Sequence, residues 1–412
     1  VTIDATHAVK PAAARIIPTV EIAELDRDPH AVFRRYRPET PVVRRVDGSL
    51  IAMRAADFER LLADPRTRQM ETELFELRGI VDGPLYDIFQ YSMLFSNEPE
   101  HRRRRAPLSR AFAFRMIAAL RPGIRAAATA ILDRVAPDGE MNLLDDFAAQ
   151  VPARTIATIV GLPEADIPDF TRWVYDVSLG ASFSFNADDI GRMQQSAGHI
   201  TDYLAQMLAD RRAAPRDDFL TDFVKAVDEG GELTPIEALA QLITIVAAGS
   251  DTTRASMTIQ TALLLGHREQ WDAVCQNPEL IPGAVLEALR FEPSIGGAPR
   301  FTLEDIELDG VILPAGRILS LSAIAAMRDP AVYAEPDRFN IYRKDHPRWH
   351  YVFGGGAHRC LGEALAKAEL EEGLAALAAR FPTLEVVGEP LRVTGHSGVR
   401  RVSSLRVAWP QP

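Results

Sequence analysis

Apolar residues recur at helical spacing through most of the middle of the chain. The stretches "RMIAALRPGIRAAATAILDRVA", "DDIGRMQQSAGHITDYLAQMLADRR" and "LTPIEALAQLITIVAAGSDTTRASMTIQTALLLGH" place them three and four positions apart, which gathers them on one face of a helix. Alternation with period two is confined to short runs. "PVVRRVDGSLIAM" reads as a hairpin turning at Asp47-Gly48, "IELDGVILPAGRILSL" as another turning at Asp309-Gly310, and "LEVVG" can pair with "SSLRVAW". The expected fold class is mostly α with a minor β-sheet region.

The last helical stretch carries its own boundary signals. Thr234 fits an N-cap, Pro235 the first helical position and Glu237 the far end of a capping box, while Gly266 marks an end. Roughly 30 residues at about 1.5 Å each span about 45 Å, enough to cross a domain. Its apolar run from Leu242 to Ala248 breaks at "GSDTT", too early for a bilayer span, so a buried central helix is expected.

With 412 residues, 47% of them hydrophobic, the chain can bury a large core, and no repeat or low-complexity linker divides it, so one domain over 1–412 is expected. A net charge of −11 argues against nucleic acid or an anionic membrane as partner. Cys275 and Cys360 are too few for a secreted disulfide framework, and the N-terminal stretch has no apolar core for a signal peptide. The expected compartment is the cytoplasm.

One of those two cysteines sits in "FGGGAHRCLGEALA", Phe353 to Ala366. A cysteine entering a helix meets free backbone N–H groups and the positive end of the dipole, which favour thiolate over thiol. Glycines let the backbone approach a flat object closely. Four readings compete: a small buried hydrophobe, a nucleophile with His358 as base, a zinc site from His346, His350, His358 and Cys360, and an axial thiolate to haem iron.

Phe353, Gly354, Gly356, His358, Cys360, Gly362 and Ala366 match F-x-x-G-x-H-x-C-x-G-x-x-x-A. That pattern resembles the signature of the cytochrome P450 family, the haem-thiolate monooxygenases. The resemblance implies a triangular-prism fold with a long central helix over haem b (iron protoporphyrin IX). Cys360 would be the axial ligand, its electron donation favouring O–O cleavage, and Phe353 and Gly354 would face the cofactor.

Other segments resemble the same family. Glu287 and Arg290 in "LEALR" lie three apart on a helix with apolar neighbours and match its E-x-x-R motif, with Arg338 of "PDRF" as the third member of a structural ion-pair network. "AAGSDTT" resembles its oxygen-binding segment. There Ala248 and the small Gly249 border the cofactor, Thr252 offers a hydroxyl and Asp251 a carboxylate for delivering protons while bulk water is kept out. His101 and Arg105 match an H-x-x-x-R element, and with Arg300 and His358 they are expected at the haem propionates. Arg102, Arg103 and Arg104 read either as a solvated face or as part of a docking patch for an acidic electron donor.

The expected function is insertion of one oxygen atom from O₂ into a medium-sized, largely apolar or aromatic organic substrate. Electrons would come from NAD(P)H through a ferredoxin and its reductase, since the chain carries no flavin domain or iron–sulfur cysteines. Family position marks Phe89, Tyr91, Phe183, Phe185, Thr244, Ala248, Ile295 and Ala298 as substrate contacts, although the phenylalanines equally suit core packing. Alternatives are a peroxide-using, desaturating or coupling enzyme of the same family, a haem-based sensor without turnover, or a zinc hydrolase. Asp251 and Thr252 together disfavour the peroxide user.

Overall fold

The protein is described from a computed structural model covering residues 15–112, 114–182 and 185–410. The central helix runs from Pro235 to Leu265. The Thr234 hydroxyl accepts the Glu237 N–H at 3.4 Å and the Glu237 carboxylate accepts the Thr234 N–H at 3.0 Å, closing the expected capping box. Gly266 follows as the C-cap. The helix is apolar on nearly every side because neighbours cover it on nearly every side: Gly83–Tyr91, Gln150–Val160, Ile167–Ser182, Ile281–Phe291 and Glu363–Arg380 all pack against it.

Both expected hairpins form. Val42–Arg45 pairs antiparallel with Leu50–Ala52, and Ile306–Leu308 with Val311–Leu313. Asp309 and Gly310 take φ of 49° and 80°, the two positive angles a tight twisted hairpin turn demands. Glu385–Val386 pairs with Arg406–Ala408 as the alternation predicts, and a further strand, Glu140–Asn142, joins on the far edge. The larger sheet has six strands in the order Thr19–Val20, Val42–Arg45, Leu50–Ala52, Ile318–Ser322, Gly297–Thr302 and Thr67–Gln69. At Gly297 a Cβ would stand 2.4 Å from the Leu321 carbonyl oxygen, so only glycine allows the strands to pass this closely. Among the described residues no helix is long and apolar enough to cross a membrane.

A buried ion-pair network ties helix Ile281–Phe291 to the irregular segment ahead of the cysteine loop. Glu287 and Arg290 are both fully buried and joined by two hydrogen bonds of 2.7 and 2.9 Å. Glu287 also accepts from the Asn340 N–H and from Arg343 Nε, while Arg290 donates to the carbonyls of Met327, Pro336 and Arg338. The third member is therefore Arg343 and not Arg338. Only the Arg338 carbonyl takes part; its guanidinium lies at the surface beside Glu335. Residues 335–345 hold no regular element in which periodicity could tell an inward arginine from an outward one.

Candidate active site

The cysteine segment folds as a tight loop. The Cys360 N–H donates to the Phe353 carbonyl at 2.9 Å, and Gly354 and Gly356 adopt φ of 65° and 58°, which side-chain-bearing residues rarely tolerate. The Gly362 N–H points at the Cys360 sulfur, which lies deep in the fold yet opens onto an internal cleft. Burial raises the thiol's pKa, and the Gly362 N–H, Arg105 and Arg359 only partly offset it. The expected preference for thiolate at a helix start is thus overturned for the side chain alone, because desolvation outweighs the N–H groups. A metal cation bound at the sulfur would supply what the loop does not.

The cleft, about 280 Å³, separates this loop from the central helix. Phe353, Gly354 and Cys360 line one wall, and Ala248, Gly249 and Thr252 the other. A Cβ on Gly249 would come within 3.2 Å of Ile156 Cδ1, so a glycine here lets helix Gln150–Val160 pack closely at the cleft.

His101, Arg105 and His358 meet at one edge of the cleft. The His101 and His358 rings lie tilted at 41° with centroids 4.0 Å apart, and both His101 nitrogens are buried without a hydrogen-bond partner, the Glu98 carboxylate standing 3.7 Å from Nδ1. Burial pushes the His358 imidazole down to about 3, helped by His101, Arg300 and Arg105. Burial likewise lowers His101, with Arg105 adding to the effect. Groups that suppress one another's positive charge make an edge complementary to anions. Arg300 belongs to this electrostatic neighbourhood, but its side chain is bound to Thr67 and does not line the cleft.

On the opposite wall the Thr252 hydroxyl donates to the Ala248 carbonyl at 2.7 Å, and Asp251 is held by Arg254, which lies 4.2 Å over the Tyr175 ring. A second cavity of about 210 Å³ shares Thr244, Ala248, Thr252 and Ile295 with the cleft and carries Phe89 on its own wall. Phe89 stacks on Phe75 at 4.2 Å, and Phe95 meets both edge-on. Of the other expected substrate contacts, Ala298 lines the cleft. Tyr91 lies instead under Arg104, turned there by its phase at the end of helix Gly83–Tyr91, and Phe185, in the connection before helix Ala187–Ala213, packs in the core with Arg78 over its ring. Phe183 lies outside the described residues.

The zinc reading fails on geometry: among the described residues no three His, Cys, Asp or Glu side chains gather as a metal site. His346 and His350 face each other at 5.0 Å, with His346 beside Glu287. The arginine run divides. Arg103 and Arg104 turn to Glu237 while Arg102 stays exposed with Glu98.

Two residues of the site escaped the sequence reading. Glu369, 1% exposed, lines the cleft, and burial pushes its carboxyl up to about 8, the neighbouring Thr155 and Thr253 hydroxyls offsetting it only in part. Its signal was present, since it stands four residues from both Leu365 and Gly373 on the apolar phase of its helix. Gln69 lines both cavities and lies in a short strand whose pairing no local pattern announces.

A slot with a deep sulfur on one wall, a bare helix on the other and an anion-seeking edge defines a protein that holds a flat iron cofactor through cysteine. The Cytochrome P450 family profile matches residues 80–396. Cytochrome P450-pinF1, plant-inducible, of Rhizobium radiobacter is 45% identical over 388 residues, covering 94% of this chain and 92% of that protein. The crystal structure of CalO2 matches with a TM-score of 0.87 at 30% identity, covering 94% of this chain and 98% of that one. A myxobacterial cytochrome P450, CYP267B1 in complex with myristic acid, matches at 0.85 and 31%, with the same coverage. The chain belongs to the cytochrome P450 family and is a haem-thiolate monooxygenase acting on an organic substrate and O₂.

Proposed function

We propose that the protein inserts one atom of O₂ into a medium-sized, largely apolar or aromatic compound, using haem b bound through Cys360. The observation that carries this reading is the Cys360 sulfur facing the cleft opposite Ala248, Gly249 and Thr252. When bound, haem supplies the activation of dioxygen; the chain supplies the position, the protons and the exclusion of water. His101, Arg105 and His358 hold the propionates, with Arg300 close behind. The Thr252 hydroxyl, its proton resting on Ala248, would hydrogen-bond at the oxygen site, and Asp251, held in place by Arg254, would relay protons inward from solvent.

Electrons reach the site from NAD(P)H through a ferredoxin that docks beside the cysteine loop, in the cytoplasm. Trp349, 52% exposed, lies under Arg348 at 4.8 Å and Arg359 at 4.2 Å, a cationic and aromatic surface on a chain that is acidic overall. An acidic carrier complements it. Reconstitution with a surrogate ferredoxin, its reductase, NAD(P)H and ¹⁸O₂ tests the reading. One labelled atom in the product, with NAD(P)H consumed in proportion, is expected. Unlabelled product, or turnover only with added peroxide, contradicts it.

A further inference from the structure

The second cavity differs from the cleft in how its polar side chains are employed. Among the described residues no Lys, Arg or His lines it. Its hydroxyls are occupied: Thr244 donates to the Ala240 carbonyl at 2.6 Å, Ser178 to Val174 at 2.8 Å, and Thr252 to Ala248 at 2.7 Å. Ser92 accepts the Leu94 N–H and pairs with Thr244 at 2.9 Å. Asp251, the one charged group, is engaged by Arg254.

Gln69 is the exception. Its Nε2 donates to the Leu94 carbonyl at 3.1 Å, which fixes which end of the carboxamide is nitrogen. One N–H remains, and among the described residues no donor reaches Oε1. The residue is 6% exposed, so these atoms are directed within the protein. Its backbone is clamped at both ends by Asn97, whose Oδ1 accepts the Gln69 N–H at 2.8 Å and whose Nδ2 donates to the Gln69 carbonyl at 3.0 Å. A buried amide with spare capacity on a fixed backbone, in a wall otherwise apolar or satisfied, is built to read one polar group.

We propose that Gln69 orients the substrate, and that this substrate is a neutral, mainly apolar molecule carrying a hydroxyl that hydrogen-bonds the Gln69 carboxamide, leaving its apolar body among Phe89 and Phe95. This rests on the monooxygenase reading above. A hydroxyl both donates to Oε1 and accepts the spare N–H. An ether forfeits the donation, and a carboxylate would face Asp251 with no cation to receive it.

Purified, haem-loaded protein titrated with 4-propylphenol, 4-propylanisole and 4-propylbenzoate, read by the high-spin Soret shift, tests the proposal. The phenol should bind about tenfold more tightly than the ether, one lost hydrogen bond with a buried partner left unpaired, and the benzoate least. In Gln69→Leu, which keeps the Asn97 backbone clamp, phenol and ether should converge to within about twofold. Wild-type protein that fails to prefer the phenol, or a variant that keeps the preference, would overturn the assignment. So would a Gln69→Leu protein that loses haem while the ranking of probes stays put, for then the amide serves the cofactor edge. The reduced carbon-monoxide spectrum of both proteins separates these outcomes from a failure of thiolate ligation itself.

Discussion

Two glutamates, both essentially without solvent exposure, stand on helices that flank the cysteine loop, and their surroundings could hardly differ more. Glu287 is met by Arg290, Arg343 and the Asn340 N–H, so its charge is answered from three directions. Among the described residues no cation pairs with Glu369; the hydroxyls of Thr155 and Thr253 lie nearby, one of its oxygens has no hydrogen-bond partner, and its pKa climbs to about 8. Burial sets the cost of a charge, and the neighbours decide whether it is retained. The paired carboxylate is a structural pin between helix Ile281–Phe291 and the segment that leads to the loop. The unpaired one keeps a proton beside the cleft.

The largest test of this contrast is Glu287→Gln. It removes the carboxylate charge that answers two buried guanidinium groups and should cost about 3–5 kcal/mol in denaturant unfolding, with loss of haem on purification. A cost below about 1 kcal/mol would mean that the network is not what supports the loop. Glu369→Gln should act with the opposite sign. A carboxyl whose folded pKa lies above its unfolded value stabilises the fold at low pH and loses that contribution as pH rises through about 8. Wild-type protein should therefore weaken between pH 5 and pH 8 by an amount on the order of 2–4 kcal/mol that the glutamine variant does not show. Equal unfolding free energies in urea titrations of wild-type protein at the two pH values would show Glu369 to be ionised and compensated.

Closer to the chemistry, Thr252→Ala should retain haem but lower product per NAD(P)H by about tenfold, the difference appearing as peroxide. Undiminished coupling would remove Thr252 from proton delivery. The smallest effect separates two arginines five positions apart. Arg338→Ala should change stability by no more than about 0.5 kcal/mol, whereas Arg343→Ala should cost about 3 kcal/mol, because only the second answers a buried carboxylate.

What the sequence reveals follows from where its information is local. The Thr234–Glu237 capping box, the Asp309-Gly310 turn and the phase of Glu287 and Arg290 each depend on residues within four positions of one another, and each is found as read. The cysteine motif was equally legible, being a short loop whose glycines have a conformational purpose. Arg343 was missed because it reaches Glu287 from an irregular segment 56 residues away. Gln69 was missed because its meaning arises only when its strand pairs with Gly297–Thr302 and carries it to the wall between the cavities. Tyr91 was misplaced for a related reason: the aromatic pattern marked a helix near the chamber but not which ring faces it.

The central claim is that the Cys360 sulfur binds haem iron as a thiolate, although the protein alone pushes that thiol toward neutrality. The absorption spectrum of the dithionite-reduced protein under carbon monoxide tests it most directly. Wild-type protein should show the red-shifted Soret band that thiolate ligation produces, and Cys360→Ser should lack it. A wild-type band matching imidazole or water ligation, or one unchanged in Cys360→Ser, would contradict the account.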